Sequence, residues 1–217
     1  MDKHAKVGFY GVLISFLGAL PLGTLNLTAF DIAASQGLTA AIWFALAVVL
    51  VELTVVRLTL LGNEHLHFGE KFSSYLILLG IALLLYLSIY SFQASMRLAN
   101  VEQQITALPK ISSAFVLGLL LSALNPLQIP FWMTWNKVLS NKGVLKSTKS
   151  HYNFYLAGIG VGSLLGLGVF IAAGKFIFAN YGNYAMITNI FMGLLYLGFA
   201  VYLGYLLLKK RLKLKIQ

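Results

Sequence analysis

Gly18-Ala19-Leu20-Pro21-Leu22-Gly23-Thr24-Leu25-Asn26 lies in the middle of an uncharged apolar run over residues 7–30. A run of that length is enough to cross a membrane, which takes about 20 apolar residues in a helix. The quoted stretch breaks it. Pro21 removes a backbone donor and clashes with the preceding turn. Gly23 lets the chain leave helical geometry cheaply. Thr24 and Asn26 place polar groups where lipid offers no partner. Irregular backbone at membrane depth survives only against protein or a water-filled cavity.

A second stretch answers the first about a hundred residues on: Ser122-Ala123-Leu124-Asn125-Pro126-Leu127-Gln128-Ile129-Pro130. It too sits mid-way in an apolar run, and it aligns loosely with Gly-Ala-Leu-Pro-Leu-Gly. Paired Gly/Pro-interrupted spans in corresponding places of two halves are the best sequence pointer to a transporter's binding site.

Composition sets the class. Of 217 residues, 59% are hydrophobic and 10% charged, against about 45–50% and 25% in ordinary soluble domains. The chain reads as one integral membrane domain over residues 1–217. Its net charge of +10 could suggest nucleic acid. The Lys and Arg residues, however, gather at span ends and in the tail, as membrane insertion requires, so no nucleic-acid partner is expected. The absence of cysteine excludes thiol–disulfide relays, zinc thiolate sites and cysteine-linked haem. Lys3 and Lys6 before an apolar run resemble a signal peptide. The run is about twice the usual 7–15-residue core of such a peptide, so an uncleaved first span is expected.

Six spans follow from the apolar runs: residues 7–30, 38–61, 72–95, 112–135, 152–178 and 184–208. Residues 35–37 and 180–183 read as short turns. Lys and Arg number 2, 1, 4 and 5 in the N-terminus, second loop, fourth loop and tail, against 0, 2 and about 1 in the other connections. The richer side is cytoplasmic by the positive-inside rule, which places both termini inside. Three spans per half is odd, so the halves run in opposite directions. The expected fold is all-α: six transmembrane helices as two inverted three-helix repeats, about 7–95 and 112–208, with the first and fourth helices broken.

Several residues could carry chemistry. Glu52 lies about 13 Å of helix from the cytoplasmic edge of its span. A carboxylate at that depth normally marks an ion or substrate path, so Glu52 is the proton-coupling candidate. The alternative is a protonated Glu52 that ties helices together or pairs with Arg57, although a spacing of five puts the two on different faces. Arg57 fits a side chain snorkelling to the surface. Asp31, at the outer end of the first span, is either a second proton-coupling or gate residue or simply solvated. The second half of each broken helix presents a positive N-terminal end at mid-membrane. Pro21, Gly23, Thr24 and Asn26, with Asn125, Pro126 and Gln128, therefore form the expected substrate site; two structural kinks are the plainer reading. Gly158, Gly162 and Gly166 make one smooth face for close helix contact, inside the chain or in a homo-oligomer. His65 and His67, with Glu64 and Glu70, could hold a divalent metal weakly. Trp43, Trp132 and Trp135 fit packing or interfacial roles, and the basic tail fits anionic lipid. No nucleophile–base–acid set or phosphate loop is present, so neither an enzyme nor a resident cofactor is expected.

These motifs carry a family resemblance. The chain resembles the lysine exporter (LysE) superfamily of bacterial amino-acid exporters. The family's first span has a Pro-Gly-Pro element, here Pro21-Leu22-Gly23, followed by Asn26 and by Gln36-Gly37-Leu38-Thr39-Ala40. Its fourth span has Asn-Pro-Lys and then aromatic residues, here Asn125-Pro126-Leu127 and Phe131-Trp132. The second proline of the first motif is absent, and Leu127 stands where the family has lysine. The resemblance implies a multi-pass protein of the bacterial cytoplasmic membrane that exports an amino acid or related small solute as a proton antiporter. Relatives that export divalent cations keep a metal substrate open through the His65/His67 loop. A non-transporting membrane scaffold is the reading from a different class.

Overall fold

In a computed structural model the chain is described at residues 3–20, 23–61, 70–98, 113–125, 127–177 and 181–214. Eight helices and no strands occur among them: α1 (Lys3–Ala19), α2 (Thr24–Ser35), α3 (Leu38–Leu61), α4 (Glu70–Leu98), α5 (Ala114–Ala123), α6 (Gln128–Asn141), α7 (Lys149–Ile177) and α8 (Tyr181–Leu214). Four helices, α3, α4, α7 and α8, contain segments long and apolar enough to cross a membrane. The count rises to six if each bent pair is one span: α1 with α2, bent by 76°, and α5 with α6, bent by 64°. Both bends fall at the two quoted sequence stretches. Pro21 and Pro126 themselves lie outside the described residues, as do His65, His67 and Glu64.

The outer surface explains why this bundle belongs in lipid. Phe9 and Leu17 on α1, Trp43 and Leu50 on α3, and Leu165 and Val169 on α7 are all exposed. Ile187, Val201 and Tyr205 do the same on α8. Helices apolar on both their inner and outer faces are core or membrane elements, and these outer faces cover no core.

Two interior clusters hold the bundle. One joins α2, α3, α4, α5, α7 and α8 around Ile32, Phe44, Leu87, Leu117 and Tyr196. The other joins α1, α3, α6 and α7 around Val7, Val56, Trp132, Leu139 and Tyr155, and reaches Leu145 in the basic loop after α6. α7 runs along both α1 and α2, while α3 runs along both α5 and α6; α4 lies against α8.

The α1–α7 contact rests on the glycine face that the sequence suggested. A side chain at Gly158 would strike the backbone of Gly8, and one at Gly162 would strike Val12 and Ser15. At Gly166 it would strike Ala19. The face is therefore occupied inside the chain. Without glycine here the two backbones could not approach, and dispersion contact in a bundle surrounded by lipid depends on such approach.

One expectation changes. Residues 181–183 are helical rather than part of a turn, because α8 begins at Tyr181. Arg57 Nη1 donates to Asn153 Oδ1 at 3.1 Å in an exposed contact that ties α3 to α7. The turn at 35–37 is as expected. Gln36 caps α2, and Gly37 adopts φ 93°, a left-handed conformation open chiefly to glycine.

Replacing Gly158 by Val forces two backbones apart, and overpacking a tight contact costs about 1–3 kcal/mol or more. Gly168→Ala meets nothing within 4 Å. Gly158→Val is expected to lower the melting temperature in detergent sharply, while Gly168→Ala leaves it within a degree or two. Equal effects from the two substitutions would show that the α1–α7 approach does not limit stability.

Candidate functional site

The two breaks open onto one cavity of about 310 Å³, at the small end of the roughly 300–1,000 Å³ typical of small-molecule sites. Gly23, Thr24 and Asn26 come to it from the first break, and Asn125, Leu127 and Gln128 from the second. Glu52 enters from α3, Ser163 from α7, and Phe131 and Trp132 from α6. Residues a hundred positions apart in the chain thus share one wall.

Each break is held by an asparagine, in opposite ways. Asn26 Nδ2 donates to the carbonyl of Ala19 at 2.5 Å, satisfying an acceptor at the broken end of α1. Asn125 Oδ1 accepts from the N–H of Leu127 at 3.2 Å, at the start of α6. The last carbonyls and first N–H groups of a helix have no partner within it, so these bonds stand in for the missing turns.

The two helix starts are not equivalent. At α6, the Asn125 side chain takes the Leu127 N–H, the Asn125 carbonyl takes the Gln128 N–H at 3.3 Å, and Pro130 has no N–H to offer. At α2, Gly23 provides no side-chain cap, and Thr24 and Leu25 line the cavity. The start of α2 thus faces the cavity through Thr24 and Leu25, while at α6 the Leu127 and Gln128 N–H groups are both taken by Asn125. The sequence had suggested both ends equally.

Glu52 is half-buried in the cavity wall. Ser163 Oγ donates to its Oε2, and Trp132 lines the same cavity. Ser15 Oγ lies 2.5 Å from Ser163 Oγ. With the Ser163 proton committed to Glu52, Ser15 donates to Ser163, so a three-member chain runs from α1 through α7 to α3. The close α1–α7 approach permits it, since Gly162 next to Ser163 faces Ser15. Glu52 does not bond Arg57, whose described partner is Asn153.

Asp31 is placed elsewhere. It is fully buried on α2, so it is not the solvated residue that its position at the end of a span allowed. It is absent from the cavity lining and lies within electrostatic reach of Tyr196 on α8. The Tyr196 hydroxyl is 2.7 Å from Thr28 Oγ1, one turn before Asp31.

The sequence did not mark Ser15, Ser163 or Phe199 as cavity residues, and it gave Trp132 a packing or interfacial role. Serine is weak evidence in an apolar run, because its hydroxyl can bond its own helix, as Ser35 does to Asp31 O at 2.7 Å. A signal for Trp132 existed: it lies four residues after Gln128, on the same helix face. Among the described residues no three His, Asp or Glu side chains meet in a way that could hold a metal ion.

A family model described as LysE type translocator matches residues 16–207. Neither the curated proteins nor the solved structures contain a match to this chain.

Asn125→Ala removes the side-chain acceptor of the Leu127 N–H and should cost about 1 kcal/mol, the usual net value of a hydrogen bond. Ser163→Ala removes the donor to Glu52 but no packing volume beyond one hydroxyl. The expected result is a lower melting temperature for Asn125→Ala. An unaltered melting temperature would mean that the second break is held by contacts other than Asn125.

Proposed function

Because the chain belongs to the LysE type translocator family, we propose that it exports an amino acid or a related small zwitterion in exchange for protons, with the cavity beside Glu52 as its site. The observation that carries this reading is the pairing of opposite poles in one small space. A carboxyl group stands on α3, and the N-terminus of α2, which begins after Gly23, opens into the same cavity. An ammonium group is attracted by the first, and a carboxylate by the positive end of the helix dipole of the second. Thr24, Asn26, Asn125 and Gln128 supply further polar contacts, and Phe131 and Trp132 an aromatic wall for an apolar side chain.

Glu52 can serve both solute and proton. When ionised it holds the substrate ammonium group; when protonated it releases it. Solute and proton then compete for one group, which is the minimal requirement of an antiporter. Ser15 and Ser163 keep the carboxyl group aimed into the cavity while it changes state. Asp31, apart from the cavity, would act on the outer part of the cycle rather than on solute binding.

The architecture of this reading is six spans in two inverted halves, each bent pair being one span. Exchange of the halves maps α1 onto α5, α2 onto α6 and α3 onto α7. The contacts of α7 with α1 and α2 then become those of α3 with α5 and α6, and both sets occur. The end bearing the lysine-rich 142–149 loop faces the cytoplasm of a bacterial cell by its excess of basic residues.

Everted vesicles with an imposed pH gradient test the proposal. Addition of the exported amino acid should dissipate the gradient, and Glu52→Gln should abolish that dissipation while leaving expression unchanged. A desolvated carboxylate that holds the substrate charge contributes at least tenfold to binding, since charged hydrogen bonds are worth roughly 1.5–3 kcal/mol. Undiminished proton-coupled flux in Glu52→Gln would remove Glu52 from the mechanism. Dissipation by divalent cations alone would move the substrate to metals.

A further inference from the structure

Between the cavity and the end of the bundle that carries the 142–149 loop, α1, α3, α6 and α7 close on one another. Val7, Val56, Leu139 and Ile159 are buried there, with Trp132 at the boundary. The seal is apolar apart from a few groups, and two of those are unusual. Tyr155 and Asn136 are both fully buried. Neither Tyr155 Oη nor Asn136 Oδ1 has a hydrogen-bond partner among the described residues. Buried polar atoms without partners are rare in native proteins and ask for an explanation. Phe and Leu would fill the same space without the penalty.

Their placement supplies the explanation. Asn136 lies eight residues beyond Gln128 on α6, and Tyr155 eight residues before Ser163 on α7. Each therefore continues, toward the sealed end, the helix face that lines the cavity. Thr59 does so on α3, seven residues beyond Glu52. Its hydroxyl accepts from Asn136 Nδ2 at 3.0 Å and donates to the Val56 carbonyl at 2.8 Å. Polar atoms thus run down three converging faces over about 12 Å of helix. Trp132 joins the two regions. It lines the cavity, and its ring meets the Tyr155 ring edge-on at 6.3 Å.

We infer that this seal is a closed segment of the solute path, and that the Tyr155 hydroxyl and the Asn136 side-chain carbonyl are its polar contacts when it opens. The inference rests on the cavity being a transport site. Opening admits water or solute to both atoms and relieves the penalty they carry when shut. The two groups therefore bias the segment toward opening, which an apolar seal would not do. The Asn136 amide, held by Thr59, stays attached to α3 and aims its carbonyl into the segment.

The chain has no cysteine, so one can be introduced as a probe. Val56→Cys is buried in the seal, and Lys146→Cys in the basic loop identifies the vesicle face that carries that loop. Labelling of Val56→Cys by a membrane-impermeant maleimide is followed from that face, with no solute present. Labelling is expected from that face only. Adding Tyr155→Phe, or in a separate variant Asn136→Leu, should slow it about tenfold, because each change removes an unpartnered buried group whose penalty favours opening. Melting temperatures should be equal to or above that of the Val56→Cys protein alone, which shows that the slower rate is not a folding defect. Unchanged or faster labelling in both variants would overturn the inference. So would labelling of Val56→Cys from the opposite face alone, or from neither. Because no solute is needed, the result is separable from the flux assay. Intact labelling behaviour without amino-acid flux would overturn the substrate and keep the path, and the reverse would overturn only the path.

Discussion

Everything in this bundle depends on where the broken backbone finds its hydrogen bonds. Lipid supplies none, so the carbonyls that end α1 and the N–H groups that begin α2 and α6 must be met inside the protein. Asn26 meets the Ala19 carbonyl, and Asn125 meets the Leu127 N–H. What those two side chains leave over faces a shared space. The cavity is therefore the place where the backbone of both breaks meets, and the proposed solute site is built on that meeting.

Close approach of α1 and α7 is the second condition. The glycines at 158, 162 and 166 bring the backbone of α1 against that of α7, and the same approach brings Ser15 to Ser163 and Ser163 to Glu52. Stability and site geometry are coupled here through one interface. A side chain that separated the helices would also release the carboxyl group from its orienting hydroxyl. The breaks fix where the cavity lies, and the glycine face fixes how its one ionisable wall group is held.

The asymmetry between the two helix starts sharpens the chemistry. An inverted pair of breaks invites the idea of two equal anion sites. Asn125 and Pro130 close off much of the α6 start, while the α2 start lines the cavity through Thr24 and Leu25. The cavity is accordingly polar in one direction, with the helix end at one pole and Glu52 at the other. That polarity is what the proposed zwitterionic substrate rests on. Asp31 is buried away from the lining, within electrostatic reach of Tyr196 on α8.

The sequence by itself determined the class, the breaks and the residues at them. Apolar runs long enough to cross lipid can fold only as helices there, and Pro21 with Gly23 and Asn125 with Pro126 interrupt such runs whatever surrounds them. Glu52 stood out for the same reason, because a carboxyl group within an apolar run is costly unless it is used. The glycine spacing of four likewise marked a helix face before any partner for it was known. Tertiary structure alone decided what met at the breaks. Ser15 and Ser163 are ordinary residues in their own helices and gain meaning only because α1 and α7 touch. Trp132 became a cavity wall, Asp31 a core residue and Arg57 a partner of Asn153 through contacts between segments far apart in the chain. Local propensity and depth in the membrane can be read along a sequence. Which side chains share a cavity is set by how helices pack, and that depends on shape across the whole bundle.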